Sequence, residues 1–172
     1  MKGALGAAAL ASAYTMMPNL APETPTHQVS VNPEDQKILA LTMWGEARNQ
    51  GEAGMRAVGH VIKNRATDSN TKLFGSGIKG VALAPHQFSA WNAGDPNRNR
   101  MKNIDKLKPG NEDYDSWIKA QELAADILNG RDSDPTNGSL FYHTTGVNPR
   151  WAKNITPVKQ IGSHLFYNDI PS

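Results

Sequence analysis

The chain has 172 residues, 38% of them apolar, and a formal net charge of +2. That suits one ordinary domain plus a tail, with enough apolar content for a single core, and gives no indication of a nucleic-acid partner. With no cysteine, disulfides, thiol catalysis and cysteine-based zinc sites are ruled out.

Residues 1–20 form a weakly hydrophobic segment. Lys2 precedes a stretch from Gly3 to Pro22 without a charge, rich in Ala and Gly. Three readings fit it: a secretory signal with Ala11-Ser12-Ala13 as the cleavage site, a weak anchor in transient association with the inner membrane through residues 3–20, or a small-residue tail. Export is favoured, to the periplasm or cell envelope. Residues 21–33 follow as a proline-punctuated linker, and the folded domain is expected over 34–172.

Asn32-Pro33-Glu34-Asp35 reads as a helix start, with a cap residue, a first-turn proline and acids at the positive end. The helix should run from Glu34 to about Arg48 with a stripe of Ile38, Leu39, Leu41, Thr42 and Met43. Glu46 lies four residues after Thr42 and three after Met43, on the side of that stripe. A carboxyl group at a core margin is partly desolvated, which raises its pKa and lets it donate a proton near neutral pH. The plain alternative is an ion pair with Arg48, Arg65 or Lys37.

Gly51 breaks the run. A second helix is expected from Glu52 to Ala66, with Gly54, Val58, Val61 and Ile62 inward and His60 on the wet side. Residues 68–112 are expected to form a long irregular lobe, whose basic run at 97–108 reads as a solvated face. A third helix carries Trp117, Ala120, Ala124, Ile127 and Leu128 and stops at Asn129-Gly130. A turn at 134–138 and two strands, 139–144 and 162–168, complete the domain.

Other chemistries find little support. No two histidines stand at metal-ligand spacing, and neither a metal nor another cofactor is implied. Ser89 has no base implied by spacing. Phe88, Trp91, Phe141, Tyr142 and Trp151 are candidates for sugar-stacking platforms. His143 and His164 flank aromatic strands and suit a hydrogen-bonding or substrate-lining role.

Four blocks then read together: WGEARNQGEAGMRAVGHVIKNR at 44–65, QFSAW at 87–91, AADILNGRDSDPTNGSLFYH at 124–143 and IGSHLFY at 161–167. In this order they resemble the cell-wall hydrolase family typified by the spore-cortex-lytic enzyme SleB. The resemblance implies a lysozyme-like α+β fold, mainly helical with a small antiparallel sheet, acting on peptidoglycan glycan strands at the MurNAc–GlcNAc bond. It places the catalytic acid at Glu46, and Gln87, Ser89, Tyr142 and His164 lining or shaping the groove. Gly59 and His60 depart from the plainly apolar pattern of the second helix. Glu52, Asp95 and Asp134 are weak second carboxylates, so a one-acid lytic transglycosylase is favoured over a hydrolytic muramidase. A non-catalytic binding module and a metal-dependent amidase or peptidase remain the other readings, and a phage endolysin is a fitting setting.

Overall fold

Asn32 caps the first helix as its sequence predicts: its side-chain oxygen accepts the Glu34 N–H at 2.9 Å, and Pro33 occupies the first turn. In the computed structural model, which describes residues 31–168, this helix (α1, Pro33–Ala47) is the centre of the domain. The signal or anchor reading of residues 1–20, and most of the linker, lie outside the described residues.

Leu39 through Gly45 are all buried, so α1 is enclosed on every side rather than along one stripe. Helices α2 (Gly51–Thr67) and α6 (Glu112–Leu128) pack against it and against each other. The predicted inward residues of α2 and α6 are buried, except Leu128, which is half-buried. Gly51, at φ 69°, makes the corner between α1 and α2, a conformation that suits glycine.

His60 corrects the sequence reading. It is 3% exposed, and its Nε2 lies 2.9 Å from Asp132, which also receives Arg56 Nε at 2.9 Å. The chain leaving α6 folds over this face of α2, a tertiary covering that helical periodicity does not register. Its neighbour Gly59 lets the helices close in, since a Cβ there would sit 2.6 Å from Ile127 Cδ1.

The span 68–112 is not one irregular lobe. It holds helices α3 (Thr71–Phe74), α4 (Gly77–Ala82) and α5 (Pro96–Lys102), with single 3₁₀ turns at Ser89–Trp91 and Ile104–Lys106. Such short helices cannot display a helical period. The basic run is solvated, with Met101 and Ile104 turned inward.

Strands β1 (Phe141–Thr144) and β3 (His164–Tyr167) fall where expected; β2 (Lys159–Ile161) was not foreseen. The sheet is antiparallel in the order β1-β3-β2, with Tyr142 opposite Phe166. Tyr142, His164 and Phe166 share one face, stacked or edge-on. That face packs on Ala57 and Val61 of α2.

Three links fix the sheet relative to the helices. Gln50 Oε1 accepts the Ser163 N–H at 2.9 Å. Asn64 donates to Asp134 Oδ2 at 2.9 Å and to the Ser139 carbonyl at 3.1 Å. Arg65 Nε donates to the Leu140 carbonyl at 2.6 Å. The last turn of α2 therefore sets the start of β1, and with it Tyr142.

Candidate active site

Glu46 stands in the last turn of α1, where the helix reaches the gap between the 89–91 turn and the sheet. It makes none of the ion pairs offered by the plain alternative. Lys37 faces Asp105, Arg48 binds Asp113, and Arg65 binds the Leu140 carbonyl and Gln87. The Glu46 carboxyl is instead held by three uncharged donors. Oε1 accepts the Ala90 N–H at 2.7 Å and the Ser89 hydroxyl at 3.3 Å. Oε2 accepts the Tyr142 hydroxyl at 3.0 Å.

The donors are themselves anchored. Trp91 Nε1 donates to Thr42 Oγ1 at 2.9 Å, pinning the 89–91 turn to α1 one helical turn before Glu46. Gly45 lets that turn approach, because a Cβ on it would lie 2.8 Å from Ala90 Cβ. Tyr142 is set by β1, as above.

Burial pushes the Glu46 pKa above the ordinary glutamate value, against the lowering effect of Ala90, Tyr142 and Ser89; the Asp95 charge adds to the rise. The group is half-buried, so burial favours its protonated form while part of it stays accessible. Oε1 is occupied by two donors. Oε2 faces a single hydroxyl that can turn and accept, and is the oxygen able to carry an acidic proton. Burial and the adjacent Glu46 hold Tyr142 well above the usual tyrosine range, so it stays a neutral phenol.

The ring of Tyr142 also lines a cavity of about 310 Å³ with Arg65, His86, Gln87 and Trp151. Gln87 and Trp151, both expected at the groove, thus adjoin Glu46 through Tyr142. Trp151 is boxed by Phe141, His143 and Tyr167. His164 does not line the groove. It is 3% exposed, edge-on to Tyr142 at 5.2 Å, and its Nδ1 is buried without a partner. Burial lowers its pKa, and its part is to back the Tyr142 ring. His143 makes a structural bond, Nε2 to the Tyr167 hydroxyl at 2.8 Å.

The weak second carboxylates have other roles. Glu52 pairs with Arg56 at 2.8 Å. Asp95 caps α5, accepting the Asn97 N–H at 2.8 Å. Asp134 accepts from Thr136 and Gly138 within its turn and from Asn64 of α2. Burial would raise its pKa, but these bonds outweigh it and the net shift is downward.

Sequence reasoning missed the Ala90 N–H donor and the place of Arg65 in the cavity wall. A backbone N–H has no residue signature; the only hint is the QFSAW block at 87–91 that contains it. Arg65 appeared only as a possible ion-pair partner.

Tyr142→Phe should leave the ring stacking intact and remove the Oε2 donor. A lost bond to an ionisable partner is worth about 1.5–3 kcal/mol, so turnover should fall about tenfold or more. The carboxylate form loses support, so the alkaline limb of the pH–rate profile should move to higher pH, since the Tyr142 bond lowers the Glu46 pKa.

Comparison with known proteins bears on this geometry. The chain is 31% identical over 133 residues to the spore cortex-lytic enzyme of Oceanobacillus iheyensis, covering 77% of this chain and 41% of that protein. It is 30% identical over 134 residues to the spore cortex-lytic enzyme of Bacillus subtilis, covering 77% and 37%. The chain thus spans about two fifths of the length of these relatives. Among solved structures, the catalytic domain of Bacillus cereus SleB matches with a TM-score of 0.58 at 26% identity, over 80% of this chain and 92% of that one. The catalytic domain of the germination-specific lytic transglycosylase SleB from Bacillus anthracis matches at 0.57 and 26%, over 80% and 97%. The fold is that of these domains, lysozyme-like and mainly helical with a small sheet. Residues 49–167 match the Cell Wall Hydrolase family, a span that begins just after Glu46. With more than half its length matched, the chain belongs to the cell wall hydrolase family.

Proposed function

We propose that the domain cleaves the MurNAc–GlcNAc bond of peptidoglycan glycan strands as a lytic transglycosylase, with Glu46 as acid and then base. The observation that carries this reading is the Glu46 carboxyl itself: half-buried, raised in pKa and held by uncharged donors alone. Glu46 gives its proton to the glycosidic oxygen as the bond to MurNAc C1 breaks. The resulting carboxylate is received by the Ala90 N–H, Ser89 and Tyr142. It then takes the proton of the C6 hydroxyl of the same MurNAc as that oxygen bonds to C1. The product is a 1,6-anhydro ring, no water is consumed, and Glu46 ends protonated as it began.

A hydrolytic muramidase would need a second carboxylate to act on water or on the sugar. Asp95 is the acidic group whose charge acts on Glu46, and its side chain is engaged as a helix cap. Asp95→Asn keeps the cap, since asparagine caps as well as aspartate. The rate should change by less than about fivefold, the weight of one solvent-screened charge pair, with the product unaltered. Mass spectrometry of digested peptidoglycan tests the reading directly. Anhydro-MurNAc ends are expected; reducing MurNAc ends with loss of activity in Asp95→Asn would replace transglycosylation by hydrolysis. Intact wall after prolonged digestion would reduce the domain to a binding module.

Residues 1–20 would deliver this domain to the periplasm, as a cleaved signal or an anchor, a placement suited to an exported endolysin. No described helix is long and apolar enough to cross a membrane. N-terminal sequencing of the mature chain with detergent fractionation distinguishes a signal from an anchor.

A further inference from the structure

Arg65 is 6% exposed and has no carboxylate within 4.0 Å among the described residues, whereas Arg48, Arg56, Arg100 and Arg131 all have one. Its charge is met by neutral groups only. Nε donates to the Leu140 carbonyl at 2.6 Å and Nη1 to Gln87 Oε1 at 2.9 Å. The rings of Phe74, Phe88 and Phe141 lie 5.2, 5.3 and 5.8 Å from its Cζ. Nη2 has no hydrogen-bond partner among the described residues. A buried cation without a counter-charge is costly to the fold.

The cavity it lines is rich in donors and lacks any acidic side chain. Gln87 has its oxygen bound by Arg65, which leaves its amide N–H groups as donors. His86, the next residue on that wall, holds a left-handed backbone at φ 63°, an uncommon conformation for a non-glycine residue. The same cavity shares Tyr142 with Glu46, so it opens one side chain away from the acid.

We propose that the cavity around Arg65 is a carboxylate subsite that fixes an acidic substituent of the glycan strand while Glu46 acts on the neighbouring bond. The proposal rests on the peptidoglycan reading and adds a recognition element to it. Two sources of that carboxylate exist in such a polymer. The lactyl group of MurNAc is free in strands stripped of peptide. In strands that carry stem peptides the lactyl group is amidated, and the free carboxylates belong to the peptide. A planar guanidinium suits either one, because it can present paired N–H donors to a carboxylate.

The test compares wild-type protein on stripped strands and on peptide-bearing strands, each with carboxyl groups free or converted to primary amides. In the arm that holds the true source, KM should be about tenfold lower for the free form, the scale of one charge-assisted contact. The other arm should show no difference. In Arg65→Gln the ratio should fall to about one, and in Arg65→Lys, which keeps charge but not the fork, it should be intermediate. A purely structural Arg65 would lower activity equally on free and amidated strands. If the wild-type protein treats free and amidated forms alike in both arms, the subsite is overturned, whether or not the variants fold. Cleavage of none of the four substrates would overturn the proposed function, and the subsite with it.

Discussion

Glu46→Gln should abolish wall clearance almost completely, by about 10²–10⁴-fold, the usual contribution of a positioned general acid. The substitution is nearly silent in shape. The glutamine oxygen can keep the Ala90 N–H and Ser89 contacts, and its amide nitrogen can donate to the Tyr142 hydroxyl in place of Oε2. Only the proton is lost. Stability should therefore move the opposite way from activity. The folded-state pKa of Glu46 lies above its unfolded value. Protonated Glu46 favours folding below the unfolded value, and that contribution fades as the pH rises through the raised one. At neutral pH the variant should melt at the same temperature as wild type or higher, and the gap should close on acidification. Near-normal turbidity loss by a folded Glu46→Gln protein would remove Glu46 from the chemistry. A marked fall in melting temperature would mean that its carboxylate supports the fold instead.

Gly45→Ala should damage both stability and rate, although it adds one methyl group and touches no substrate. The new Cβ would meet Met101 Sδ at 2.6 Å and Ala90 Cβ at 2.8 Å. The methionine can swing aside. Ala90 Cβ is fixed to the backbone that carries the Glu46 donor, so α1 and the 89–91 turn must part. Overpacking of this kind costs about 1–3 kcal/mol, partly offset by the better helix propensity of alanine, about 1 kcal/mol. The same displacement stretches the 2.7 Å Ala90 bond, and a misplacement near 1 Å can cost up to about 10²-fold. Gly59→Ala is the control. Its Cβ meets the tips of Ile127 and Met43 side chains rather than backbone-fixed atoms, away from the acid. It should lower the melting temperature with little change in turnover per folded molecule. Equal rates for Gly45→Ala and wild type would show that the Ala90 contact is dispensable.

Much of the scaffold was legible because it is written locally. Asn32-Pro33 marks a helix start by capping chemistry, and the periodic residues of α2 and α6 mark their inner faces. The aromatics of β1 and β3 mark strands. What failed was whatever depends on remote covering. His60 was placed in water because its own helix cannot announce that Asp132 will arrive from the far side of α6. The short helices between 71 and 102 hold too few turns to show a period, and β2 has only three residues, two of them exposed. At the site, Glu46 stands out by its position among apolar residues; Ser89 and Tyr142 bind its carboxyl, while Gln87 and Trp151 line the cavity that Tyr142 shares. His164 sits behind Tyr142 and not on the groove wall, a distinction sequence spacing does not carry, because a histidine next to a groove residue and one behind it are spaced alike. Ala90 acts through its main chain, for which no pattern of side chains could speak.

The three donors to Glu46 come from positions 43 to 96 residues further along the chain. A partly made or partly threaded polypeptide, lacking β1 and the 89–91 turn, leaves the glutamate in water with an ordinary titration. The proton chemistry proposed for Glu46 therefore arises only once tertiary assembly is complete.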